Sequence, residues 1–221
     1  MTRIDEVKVV GIDPSVTATG VAVFHRGQYE CSVVGREGVT KLDSRARLRA
    51  LEVLLTDVVG LAGPDSPADL VVIEEPFGTV TRGGGAGLVP ERGWLFYELV
   101  QHFYGRALIV HNAKVKKYLT GKGNANKGAM TDAMARRAPM WVTRGNDNMV
   151  DAAALAMIGL HLVGNPIIEV PASHLAALKY LRVPFAVVPA QNLAPTIAAT
   201  NLANFPHVEG EGFFDDHSEH Y

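Results

Sequence analysis

Asp13, Glu74, Asp147 and Asp151 are the side chains whose types and spacing could do chemistry. Asp13 ends the run Val7–Asp13 (VKVVGID) and is followed by Pro14 and a small-residue stretch to Gly20. A carboxylate at the carboxyl end of a buried strand lies where open α/β sheets build their sites. Glu74 ends a second apolar run, Leu70–Glu74 (LVVIE), and Glu75 follows it. Successive strand residues point to opposite faces, so one glutamate faces a site and the other does not. A carboxylate on a buried strand is costly without a partner, and a divalent cation is a natural one. Asp147 and Asp151 are four residues apart in the segment Asn146–Ala153, and Asn148 and Asp151 are three apart. Both spacings put oxygen ligands on one face of a helix. Asn146, Asp147 or Asn148 suits the N-cap of that helix, whereas Asp151 lies a turn inside it, where capping does not account for it. Two strand ends and one helix thus offer carboxylates with no Cys or His among them. Such a hard-oxygen set selects Mg2+ or Mn2+ over Zn2+. Two such ions, roughly 3.5–4 Å apart, would activate a water and stabilise the leaving oxygen of a phosphodiester.

Positioning these groups requires a short series of elements. Val7–Asp13, Gly20–Phe24 and Tyr29–Val34 read as strands, with a turn over His25–Gln28 between the second and third. Leu70–Glu74 and Ala107–His111 read as two more. Asp43 or Ser44 caps a helix to about Gly60, with Leu48, Leu51, Leu54, Leu55 and Val58 at helical spacing. Glu91–Tyr104, Ala125–Arg137 and Met149–Val163 read as further helices, with a short one ahead of a Gly-Lys-Gly turn at 121–123. Gly78–Gly87 is a glycine-rich loop without the Gly-Lys-Ser/Thr ending of a P-loop. Antiparallel strands followed by strand–helix alternation predict an α/β domain over residues 1–165: a mixed five-stranded sheet flanked by helices. Residues 166–221 are expected to form an acidic, partly irregular C-terminal extension, rich in Pro, Asn and Ala and ending in GEGFFDDHSEHY.

The chain has 221 residues, 48% apolar and 20% charged, an ordinary composition for a globular protein. A single cysteine, Cys31, excludes an internal disulfide framework and a cysteine-based zinc site. The start MTRIDEVKVV has no apolar h-region, and Ala152–Gly164 is too short to span a bilayer. A cytoplasmic protein with no membrane partner is expected. The net charge is only −2, but it is unevenly placed. Residues 106–144 carry nine Lys/Arg, among them Lys114, Lys116, Lys117, Lys122 and Lys127, against Asp132 alone. A local basic segment of this kind suits a polyanion, supplying phosphate contacts. On Glu91–Tyr104, the residues Trp94, Phe96, Leu99, Val100 and Phe103 spread further round the helix than one buried face requires. A homodimer covering part of that helix is expected.

Four segments in order, GIDPSVTATGVA (11–22), VVIEEPF (71–77), VKKYLTGKGNANK (115–127) and DNMVDAAALA (147–156), resemble the RuvC-type Holliday junction resolvases of the RNase H-like nuclease superfamily, in a phage-like variant. The resemblance covers roughly residues 7–164. It implies an RNase H-like fold, a Mg2+-dependent endodeoxyribonuclease and a homodimer acting on four-way junctions, forks and flaps. Asp13, Glu74 and Asp151 match three of the family's four metal-binding acids. Lys116 and Lys127 match its two catalytic-region lysines, and Phe77 an aromatic that stacks on a base at the junction centre. The fourth acid position falls on Asn148, and the neighbouring Asp147 is the expected substitute. The first hairpin also resembles that of actin-like ATPases and sugar kinases. That reading requires a second glycine-rich phosphate loop and about twice the length. A third reading is a non-catalytic branched-DNA-binding module, against which the three intact acids argue.

Overall fold

The computed structural model describes residues 6–35, 38–63, 67–76 and 89–184. Three strands open the chain: β1 (Val9–Asp13), β2 (Thr19–His25) and β3 (Gln28–Val34). Arg26 and Gly27 both take positive φ between β2 and β3, as a two-residue hairpin with the right-handed twist of its strands demands. The helix α1 (Ser44–Ala62) follows, capped by the Asp43 carboxylate, which accepts from the Ala46 amide. Then come β4 (Leu70–Glu74), α2 (Val89–His102), β5 (Ala107–Val110), α3 (Asn112–Thr120), α4 (Lys127–Arg137), α5 (Asp147–Leu162) and the single turn α6 (Ala172–Leu175). The sheet order is β3-β2-β1-β4-β5. β1, β2 and β3 are antiparallel neighbours, while β4 lies parallel to β1, and β5 parallel to β4. The sheet is therefore mixed and five-stranded, as the sequence predicts.

Alternation along the central strands divides the core in two. Val9, Leu70, Val72, Leu108 and Val110 face α3, α4 and α5. Val10, Ile12, Val71 and Ile73 face α1 and α2. Leu51, Leu54 and Val58 of α1 are buried as their spacing predicts, but Leu48 is 46% exposed. Ala50 takes the core position on that turn instead. Leu95 and Leu99 of α2 are fully buried, and Trp94, Phe96 and Val100 pack half-buried on the same cluster, with Phe103 just beyond. Leu99 is thus taken up inside the protomer. Tyr97 and Tyr104 are the aromatics left exposed here.

The extension expected from residue 166 begins differently. Ile167, Ile168, Val170, Leu178, Leu181 and Val183 pack against the α3–α5 core, and Ala177 is buried. Residues 166–184 therefore continue the packed unit past the boundary drawn at 165. Their apolar residues are too irregularly spaced to show as one helix or strand. Tyr180 stays 78% exposed.

α5 is the central helix. Every residue from Ala152 to Leu160 is buried, because the sheet lies on one side and α3 and α4 on the other. Its alanines allow the helix backbone to settle on the strands. A Cβ on Gly11 would collide with the Ala152 carbonyl and the Ala156 amide, and one on Gly20 with the Asn148 carbonyl. Gly11→Ala is accordingly expected to cost about 3 kcal/mol, the upper part of the overpacking range. Gly60→Ala, at a helical site with open space around it, should gain roughly 0.5–1 kcal/mol. Urea unfolding of both variants checks this, and a Gly11→Ala midpoint level with the wild type would refute the close approach.

Candidate metal-dependent nuclease site

The β1–β4 register ends at Ile12↔Ile73, so Asp13 and Glu74 stand one step further along two parallel neighbours. Asp13 shares the parity of Val9 and Gly11, and Glu74 that of Leu70 and Val72. Both carboxylates thus lie on the α5 side of the sheet, at its carboxyl edge, and Glu75 has the opposite parity. The loop after Asp13 is pinned by Thr19. Its buried hydroxyl accepts from the Ser15 amide at 3.1 Å and donates to the Ser15 carbonyl at 2.8 Å. α5 starts over the same edge. Asn146 is its N-cap, accepting from the Met149 amide, so neither Asp147 nor Asp151 is occupied by capping.

Burial raises the proton affinity of Asp13, Glu74 and Asp151, and neighbouring carboxylates add to it. Burial, with Glu74 and Asp151 beside it, holds Asp13 well above the usual carboxylate range. Glu74 is pushed up to about 7 by burial, with the Asp151 charge adding to the rise and the hydrogen bond from Asn112 opposing it. Asp151 is pushed up to about 6 by burial, with Asp147 adding repulsion. Cations oppose the trend: Lys127 and Arg92 act on Asp13, Lys116 and Arg92 on Glu74, and Lys116 and Lys127 on Asp151. Asn112, the first residue of α3, donates to Glu74 Oε1 at 2.7 Å, while Glu74 Oε2 is buried with no hydrogen-bond partner. The Lys127 ammonium pairs with Asp147 at 3.0 Å. A cavity of about 110 Å3 lies among Asn112, Lys116, Lys127, Asp147, Val150 and Asp151.

This donor set fits a hard divalent cation: crowded, poorly hydrated carboxylates, one of them with an orphaned oxygen. Among the described residues, no three Asp, Glu, His or Cys side chains are drawn up as a closed ligand group.

The candidate residues therefore separate into groups. Asp13, Glu74, Asp147, Asp151, Lys116 and Lys127 come together. Asn112 and Arg92 join them, which the sequence reading missed. Asn112 comes two residues after the end of β5, the strand beside Glu74, which is the signal that could have found it. Arg92 had none, since only the packing of α2 brings it near. Asn148 lies over Gly20, the ladder partner of Asp13. Lys114 is not free for phosphate: its ammonium donates to the carbonyls of Lys179 at 2.6 Å and Ala177 at 3.3 Å. Lys117 sits half-buried in the last turn of α3, and Lys122 is exposed in the turn to α4. Phe77 and the glycine-rich loop lie outside the described residues.

The family model described as crossover junction endodeoxyribonuclease RuvC matches residues 9–161. This chain belongs to the RuvC family. Its relatives include the RuvC of Corynebacterium efficiens, 29% identical over 153 residues, covering 68% of this chain and 67% of that protein. The RuvC of Gloeobacter violaceus is 28% identical over 154 residues, 69% of this chain and 87% of that one. Among solved structures, T. thermophilus RuvC in complex with Holliday junction substrate superposes with a TM-score of 0.52 at 18% identity, over 75% of this chain and all of that one. That likeness carries the RuvC fold. The family is one of endodeoxyribonucleases. No helix among the described residues is long and apolar enough to cross a membrane.

The repulsion has a measurable consequence. Folded-state values near 7 for Glu74 and 6 for Asp151 lie above the ordinary carboxylate range, so the folded chain binds protons more tightly than the unfolded one. Their stabilising contribution is present at low pH and is lost as pH rises through 6 and 7. In chelator, the melting temperature of the wild type should fall from pH 5.5 to 8. Asp13→Asn should melt higher than wild type at pH 8 and gain less from added Mg2+. A variant that melts lower in chelator would refute the electrostatic account.

Proposed function

We propose that the chain is a Mg2+- or Mn2+-dependent endodeoxyribonuclease that cuts branched DNA, four-way junctions first, as a homodimer. The observation carrying this reading is the convergence of Asp13, Glu74 and Asp151 beside Lys116 and Lys127 at one sheet edge, in a RuvC-family chain. Asp13, Glu74, Asp147 and Asp151 would hold two ions, which supply a water activated for attack on phosphorus and charge to offset the leaving oxygen. The chain's own groups do the rest. Asn112 fixes one oxygen of Glu74 and leaves the other for the cation. Lys116 and Lys127 counter the charge that builds on the scissile phosphate. Asp147 holds Lys127 over the cavity while remaining half-exposed. Phe77, three residues past Glu74, would stack on an unpaired base at the branch, a contact worth about 1–3 kcal/mol. Lys117 and Lys122 would contact phosphates away from the cut.

Asp13→Asn, Glu74→Gln and Asp151→Asn should abolish cleavage of a labelled four-way junction in Mg2+ while leaving gel-shift affinity in chelator nearly unchanged, because binding rests on phosphate contacts. Equal loss of both activities would point to a binding module instead. A panel of junction, fork, flap and linear duplex ranks the substrates, and no cleavage of any branched one would overturn the reading.

The fourth ligand is tested by metal titration. An anionic oxygen offers Mg2+ far more than an amide does. Asp147→Asn should therefore require much more Mg2+ for half-maximal cleavage, and Asn148→Ala only slightly more. The reverse order would assign the position to Asn148.

A further inference from the structure

We propose that residues 166–184, beyond the family match that ends at 161, form a strap that sets α3 and α4, and through them Lys116 and Lys127, against the acidic cluster, with Arg137 and His174 as positioning residues. The proposal rests on the nuclease reading of that cluster. α3 has nine residues, too few for a helix to hold its place by its own propensity. It is packed between α5 and the strap. Its last carbonyls lack partners within the helix, as at any helix end. Here they are taken by side chains from outside. Arg137, the last residue of α4, donates through Nη1 to the Leu119 carbonyl at 2.9 Å and through Nη2 to the Glu169 carbonyl at 2.9 Å. His174 Nδ1 lies 3.1 Å from the Tyr118 carbonyl and 2.9 Å from Arg137 Nη1. One guanidinium thus ties the ends of α3 and α4 to the strap, in the fork geometry a lysine cannot supply. Gly121 takes a positive φ beneath the His174 ring, where a Cβ would strike the imidazole.

The start of α3 is fastened by Lys114, whose ammonium reaches two strap carbonyls. Leu178, Leu181 and Val183 pack the strap onto the core. The same short helix carries Asn112 on Glu74 and Lys116 beside Asp151, and α4 opens with Lys127. Movement of α3 would therefore be felt at both the Glu74 hydrogen bond and the lysine beside the acids.

Full-length Arg137→Gln, His174→Ala and Lys114→Met would be compared with wild type by amide hydrogen exchange and by single-turnover junction cleavage at saturating protein and Mg2+, well below each melting temperature. Lys114→Met is the mildest and keeps the test open if Arg137→Gln does not fold. Exchange over 112–126 should quicken while the strands stay protected. The single-turnover rate should fall roughly 10- to 100-fold, the scale set by small misplacements of catalytic groups. Gel-shift affinity in chelator should hold, and Arg137→Lys should recover only part of the rate. Unchanged exchange and rate, with only a lower melting temperature, would overturn the proposal. So would a Lys114→Met protein that loses affinity at an unchanged rate, because that lysine would then be a DNA contact. If wild type cuts no branched DNA while exchange over 112–126 still responds, the nuclease reading fails and the strap's hold on α3 stands.

Discussion

The contact on which the site depends is the backbone-to-backbone approach of α5 to β1 and β2. Only glycine at positions 11 and 20 permits it, and the alanines of α5 supply the matching helix face. The approach places the first turn of α5 directly over the strand edge that ends in Asp13. Three acids far apart in sequence thereby share one poorly hydrated corner. The alternation that buries Val9, Leu70 and Val72 under α5 also turns Asp13 and Glu74 to that side. Packing and chemistry are therefore set by the same parity, and a one-residue slip of β1 or β4 would lose both.

The corner is unfavourable by itself. Carboxylates raised by burial and by each other destabilise the fold they sit in, and the cost is offset only partly by Arg92, Lys116 and Lys127. Arg92 reaches the acids from the opposite helix layer. The Arg47 guanidinium fixes the start of α2 by donating to Glu91 at 2.6 Å and to the Leu42 carbonyl. Both helix layers thus send cations to one edge, and a divalent ion would complete an electrostatic balance that the chain leaves short.

Much of this was legible in the sequence. Apolar runs ending in Asp13 and Glu74 gave the strands and the edge together, because buried strand ends show as β-branched residues that stop at a charge. Asp151 was legible because capping could not explain a carboxylate a turn inside a helix. Tertiary packing decided the rest. Lys114 and Lys116 sit in one basic run, yet a helix turns by about 100° per residue, so one ties down the strap and the other faces the acids. Composition marked the whole stretch as basic and could not tell the two apart. Residues 166–184 read as irregular because their apolar side chains answer to the surface of α3 and α4 and to no period of their own.

The same electrostatics decides how well a charge is tolerated at 147 and at 148. Asn148 lies over Gly20, beside the strand edge of Asp13. A fourth carboxylate there would join three already raised by crowding. One residue earlier, the Asp147 side chain is 37% exposed and paired with Lys127. Water and an ammonium both lower the cost of its charge there. A charge at 147 puts an anionic oxygen on the cavity at a partly exposed position. It also pairs with the largely exposed Lys127 ammonium at 3.0 Å.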